Sequence, residues 1–235
     1  MTNRKGRADK EKAQQARSGR RRGTGGRGPV RGRKEPVPLI LVVAEGKTTE
    51  PAYLTWLNKR CTAVSIKCQF NHSAPEHVVA RAIQQKKRGP SGVGDDVGTE
   101  YQAVWCMVDT DIHARLAKAV ADAKRAGIEV AVSSRCFETW LLMHLRDETR
   151  PYATSKDEKR AWRDLVGPHH ADAPQQFNLI ADRLPDALAR ARRKRTQDDR
   201  DGKRRFERNP SSEVDGFIRA VAELADVDEN KLYGG

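Results

Sequence analysis

The chain has 235 residues, with 45 Lys and Arg against 32 Asp and Glu, a formal net charge of +13 and four cysteines. The length suits one domain, or one domain with an appendage. Four scattered cysteines exclude a disulfide scaffold, and no apolar run approaches the ~20 residues that span a bilayer. The basic N-terminus is followed by no apolar segment of the secretory type. The expectation is a cytoplasmic protein with reduced thiols and no membrane partner.

The charge is unevenly placed. Residues 1–36 hold thirteen Lys and Arg against three Asp and Glu, with few apolar side chains. Such a stretch cannot bury enough surface to offset the entropy of ordering. It reads as a disordered basic arm, either a solubilising tail or one that contacts phosphates. A second basic stretch, 190–208, holds ten Lys and Arg against four acids. It fits equally the cation-rich end of a helix and a phosphate-contact surface.

Ordered sequence is expected after Pro36. Residues 37–44 form a near-continuous apolar run, the mark of a strand buried on both faces. Helical spacing follows over 47–60, a strand over 64–70 and a helix over 75–88. Residues 89–100 read as a Gly-rich acidic loop, 103–108 as a second buried strand, and 113–126 as a helix ended by Gly127. A short strand covers 128–132. An amphipathic helix is expected over 136–145, with Phe137, Trp140, Leu141, His144 and Leu145 on one stripe; His144 there reads as a core histidine. This alternation belongs to a doubly wound, mainly parallel α/β sheet. Beyond residue 150 the pattern turns helical, around 157–166, 174–195 and 211–225, with Pro185 breaking or kinking the middle segment and Asn209-Pro210-Ser211 starting the last. The expected organisation is an arm over 1–36, an α/β domain over 37–150 and a helical extension over 151–235 packed on it.

Chemistry in such a sheet belongs at the carboxyl ends of the strands. Glu45 follows the first strand; Asp109 and Asp111 follow the third. If those strands are neighbours, three carboxylates share one small volume. They raise one another's pKa unless a cation lies between them, and their hard oxygens suit Mg²⁺ or Mn²⁺. Such an ion can polarise a phosphodiester and activate water. Gly46-Lys47-Thr48 imitates the end of a P-loop, but the required upstream glycine is replaced by Leu41, inside the strand. Lys47 reads either as a solvated first-turn lysine or as one that meets a substrate phosphate from the helix start. Glu50 sits one turn into that helix, where an acid suits the dipole. Glu138 lies in the first turn of its own helix, one position from where a capping box with Ser134 would need it, which favours a site role. The cysteines lack C-x-x-C spacing, so zinc is not expected.

Three segments carry a resemblance. Glu45-Gly46-Lys47-Thr48-Thr49-Glu50-Pro51-Ala52-Tyr53, Val108-Asp109-Thr110-Asp111, and the run from Ser133-Ser134-Arg135-Cys136-Phe137-Glu138 through Thr139-Trp140-Leu141-Leu142-Met143-His144 resemble the RloB-like proteins. That family is associated with restriction and phage-defence loci and is similar to Toprim-fold proteins, which place a Glu after the first strand and Asp-x-Asp after the third. The resemblance implies a Toprim-like fold over 37–150 and a Mg²⁺-dependent nuclease. Glu45 would be an acid/base or metal-adjacent group, and Asp109 and Asp111 metal ligands. Beside the resemblance, the residues themselves offer Glu138 as a further catalytic acid and Lys47 and Glu50 as substrate contacts. The expected substrate is nucleic acid, either RNA, including tRNA, or DNA. Two alternatives stand beside it: a catalytically silent nucleic-acid or nucleotide-binding module, and an effector subunit held inert by an ATPase or sensor partner.

Overall fold

A computed structural model of the chain describes residues 36–71, 73–91, 97–110, 115–167 and 174–234. The architecture is α/β, built on a mixed five-stranded sheet in the order β2-β1-β3-β4-β5. Strand β1 (Val37–Ala44) pairs in parallel with β2 (Ser65–Phe70) on one side and β3 (Val97–Asp109) on the other. Strand β4 (Glu129–Ser134) continues the parallel order beside β3, and the two-residue β5 (Ser211–Ser212) closes the edge antiparallel. The chain winds outward from β1 in both directions, so the point where strand order reverses lies between β1 and β3. In open α/β sheets that crevice is where ligands bind.

The apolar run of β1 explains its central place. Leu39 to Ala44 are all buried. Ile40, Val42 and Ala44 point into one core, and Leu41 and Val43 into the other, as the two-residue period requires. Near its start Pro38 can donate no ladder bond. The β1–β3 register shifts there, and the Gln102 side-chain carbonyl accepts the Leu39 N–H at 2.7 Å.

Helices α1 (Thr49–Arg60), α2 (Pro75–Arg88) and α3 (Leu116–Arg125) follow the first three strands. Val78, Val79 and Ala82 of α2 and Leu116, Ala119 and Ala123 of α3 fill the smaller core. The opposite face carries α1, α4 (Glu138–Leu145), α5 (Ser155–Val166), α6 (Leu184–Arg200) and α7 (Val214–Ala225), with 3₁₀ turns at Pro174–Ile180 and Glu229–Lys231; a third 3₁₀ turn, Arg205–Glu207, packs Phe206 against the smaller core. Residues 35–235 cluster as one unit. Among the described residues no helix is long and apolar enough to cross a membrane.

Several expectations change. Strand β3 begins at Val97, inside the segment read as loop, because Val37 at the start of β1 offers its backbone to Val97; backbone pairing does not need the apolar side chains that the reading looked for. Strand β4 extends to Ser134 because Ser133 and Ser134 meet Ser212 and Ser211 across the sheet edge. Those two serines are therefore strand, and α7 starts only at Val214. The expected 174–195 helix splits into a 3₁₀ turn and α6, with Pro185 in the first turn of α6, where a missing N–H costs nothing. Helix α4 is not amphipathic: Glu138 through His144 are all buried, because α5 and α6 cover the side that an isolated domain would leave wet.

Candidate active site

The parallel register sets the site. Ala44 lies opposite Met107, and Asp109 opposite Ser133. The three chain exits from β1, β3 and β4 therefore leave the sheet side by side. Glu45 continues the ladder for one more bond, donating its N–H to the Met107 carbonyl at 2.9 Å. Its Oε2 accepts the Asp109 N–H at 3.2 Å, so the first expected acid spans the β1–β3 crevice and touches the second.

Glu50 enters the same space from the first turn of α1. It falls on the buried stripe with Tyr53, Leu54 and Leu57 and is 5% exposed. Its Oε1 accepts the Gly46 N–H at 2.9 Å. A Cβ at position 46 would overlap this carboxylate, so glycine is what lets the side chain fold back against the turn. Glu138, also 5% exposed, reaches in from α4 and accepts the Thr49 hydroxyl at 2.9 Å.

Four carboxylates thus face one crevice, and the electrostatics register it. Burial, reinforced by the Glu138 charge, pushes Glu50 up from 4.5 to about 7. Desolvation and then the charges of Glu50, Glu45 and Glu138 hold Asp109 well above the ordinary carboxylate range. Each proton bound there relieves repulsion between like charges. Among the described residues Lys159 is the cation that answers the cluster. Although desolvation works against it, Lys159 of α5 is held above its ordinary value by Glu138, with Cys136, Asp109 and Glu50.

The loop that carries Glu138 is pinned from behind. Glu158 of α5 is fully buried, and its Oε2 accepts the N–H groups of Arg135 and Cys136 at 3.0 and 2.9 Å. The Cys136 thiol donates to the same oxygen, and Oε1 meets the Thr139 hydroxyl. Burial pushes both Glu158 and the Cys136 thiol up. Cys136 is therefore a packed thiol rather than a nucleophile.

The expected residues thus fall into three groups. Glu45, Asp109, Glu138 and Glu50 converge; Glu50 does so from a buried position rather than as a surface contact. Lys47 stands exposed in the β1–α1 turn, away from any described bond. Asp111 lies outside the described residues. Sequence reasoning missed Glu158 and Lys159. Glu158 had a signal, since it shares a helical stripe with Trp162, and an acid on a buried stripe needs a partner; Lys159 had none in a helix full of charge.

His144 is a core histidine. Burial pushes it down from 6.5 to about 3, so it is neutral. Its Nδ1–H donates to the Trp140 carbonyl at 2.9 Å, and its Nε2 accepts the Tyr233 hydroxyl at 3.2 Å. Tyr53 donates to the Tyr233 oxygen while accepting Trp140 Nε1–H at 3.0 Å. Every donor in this buried circuit has one acceptor.

The family model for RloB-like proteins matches residues 40–221, a span that includes every acid of the crevice. No curated protein and no solved structure matches the chain. By the extent of the match and the residues it spans, the chain belongs to the RloB-like family.

Proposed function

We propose that this chain is a Toprim-like, Mg²⁺-dependent nuclease that hydrolyses phosphodiesters of RNA or DNA in defence against phage. The observation that carries the reading is the convergence of Glu45, Glu50, Asp109 and Glu138 at the strand-order reversal of a parallel sheet. Their donors suit a hard divalent cation: all are carboxylate oxygens, and a cation would relieve the repulsion that raises Glu50 and Asp109. Among the described residues no three His, Cys, Asp or Glu close on a single point. Mg²⁺ needs only one or two carboxylates when water and substrate phosphate complete its shell. Asp109 and Glu45 would hold it, with Asp111, outside the described residues, as the third candidate.

Bound there, the ion would supply Lewis-acid polarisation of the phosphoryl oxygen and a more acidic water. The chain's own part is orientation and proton handling. The Asp109 N–H fixes Glu45 Oε2, leaving the carboxylate aimed along the crevice, where it would take the proton of the attacking water. Glu50, near 7 before an ion binds, would release its proton as the site loads. Glu138, steadied by Thr49, sets the far wall.

Incubation of the purified chain with total RNA and with plasmid, in Mg²⁺ and in EDTA, tests the reading. Cleavage in Mg²⁺ alone, lost by about 10²–10³-fold in Asp109→Asn with melting no lower than the parent's, is the expected result. Metal-dependent cleavage at full rate in that variant would overturn it. Intact substrate with a retained mobility shift would favour a binding module, and cleavage only after addition of an ATPase partner would favour a restrained effector.

A further inference from the structure

Beside the carboxylates, a cleft of about 470 Å³ opens at the ends of β3 and β4. One wall is Thr110, Ser134 and Arg135; the other is the 203–209 segment, including Lys203, Phe206, Arg208 and Glu207, whose carboxylate is answered by Arg204. Thr110 directly follows Asp109, so the cleft and the acid crevice share a wall.

The cations of this cleft are not equivalent. Lys203 is paired with Asp198 at 2.8 Å, and Arg208 with Asp199 at 2.5 Å. Arg135 differs. Its Nε donates to the Tyr152 carbonyl at 2.7 Å, and its backbone is clamped by Glu158. Among the described residues it has no carboxylate within ion-pair distance, and its two terminal nitrogens have no bonded partner. A half-buried guanidinium held by Nε, with its outer nitrogens unused, is pre-organised for a bidentate anion. The volume accepts about one nucleotide unit, and a whole nucleotide seated in it has no room beside it for the paired strand of a double helix.

We infer that this cleft is a backbone subsite for single-stranded polynucleotide, in which Arg135 grips a phosphate next to the one at the carboxylates. The inference rests on the nuclease reading for the identity of the ligand and deepens it by naming strandedness and the anchoring residue. Phe206, on the opposite wall, is anchored against the smaller core with the Arg205 guanidinium over its ring, and so fixes that wall. Lys203 and Arg208, already answered by acids, shape the cleft without adding much net attraction.

The test is binding of a short fluorescent RNA strand, the same DNA strand and the corresponding duplex to the full chain in EDTA, across a salt series. The basic arm is present in every variant, so its contribution cancels. Arg135→Gln should weaken single-strand binding about tenfold and lower the salt slope by about one. Pro151→Glu, which places a carboxylate at an exposed position on the cleft rim, should weaken binding without removing any described bond. It decides the matter should Arg135→Gln melt early. Unchanged affinity in Pro151→Glu and in folded Arg135→Gln, or a duplex weakened by Arg135→Gln as much as the strands are, overturns the inference. Cleavage in Mg²⁺ is scored separately: Arg135-dependent binding without cleavage upholds the cleft and overturns the nuclease, whereas cleavage without Arg135-dependent binding does the reverse.

Discussion

A carboxylate on the buried stripe of a helix destabilises a fold unless something answers its charge, and Glu50, Glu138 and Glu158 are three such groups. Each has hydrogen-bond donors, yet only Glu158 lies where those donors account for its presence; it holds a turn. Glu50 is raised to about 7 by burial and by Glu138, which makes it a liability in the ion-free fold above neutrality. An acid raised in the folded state favours folding while both states are protonated. That contribution is lost as pH rises from the unfolded value near 4.5 through 7, by up to about 3 kcal/mol. His144 runs the other way: a base depressed to about 3 favours folding above 6.5 and loses that contribution as pH falls. Urea unfolding in EDTA should therefore find Glu50→Gln more stable than the parent above pH 7, with the advantage shrinking at pH 5. An equal gain at both pH values would mean that Glu50 does not titrate in that window. The acids at 45 and 109 were legible because strand ends are legible. Glu50 was legible as a residue but not as a buried one, because its burial comes from helices far along the chain.

At the level of elements, the most instructive case is the second basic stretch. Its side chains are largely committed to acids of the same region: Arg192 to Glu229, Arg193 to Asp147, Lys194 to Asp198, Arg195 to Asp215 and Arg205 to Glu213. The Arg195–Asp215 pair is a two-pronged contact that ties α6 to the first turn of α7, with Asp215 fully buried. Removing one partner of such a pair leaves a buried charge unanswered. Asp215→Ala should cost about 2–4 kcal/mol in urea unfolding, and the double variant with Arg195→Ala should lose less than the sum of the two single changes. A fully additive cycle would show the pair to be ornamental. The helices and strands of the first half were readable from hydrophobic period because each is covered by its chain neighbours. Where cover arrives from the C-terminal helices, as over α4, period fails: a helix wrapped on all sides has no polar face to reveal it.

Across the whole molecule, the pairing of the 190–208 cations shifts the weight of polyanion attraction to the N-terminal arm, where residues 1–34 hold thirteen Lys and Arg against two acids. Deleting them should reduce the salt slope of nucleic-acid binding several-fold while leaving melting unchanged, since residues 35–235 form their own unit. A slope unaltered by the deletion would place the attraction in the folded body instead. The circuit of Trp140, Tyr53, Tyr233 and His144 has a consequence for synthesis. Tyr53 leaves the ribosome well before Tyr233, so the Tyr53 hydroxyl has no acceptor in this circuit, and His144 Nε2 no donor, until Tyr233 arrives. The core bearing the acid crevice therefore completes its polar circuit only once Tyr233 has been made. A nascent or interrupted chain that stops short of Tyr233 carries the carboxylates and the Trp140–Tyr53 bond between α4 and α1, but lacks the hydroxyl that joins Tyr53 to His144.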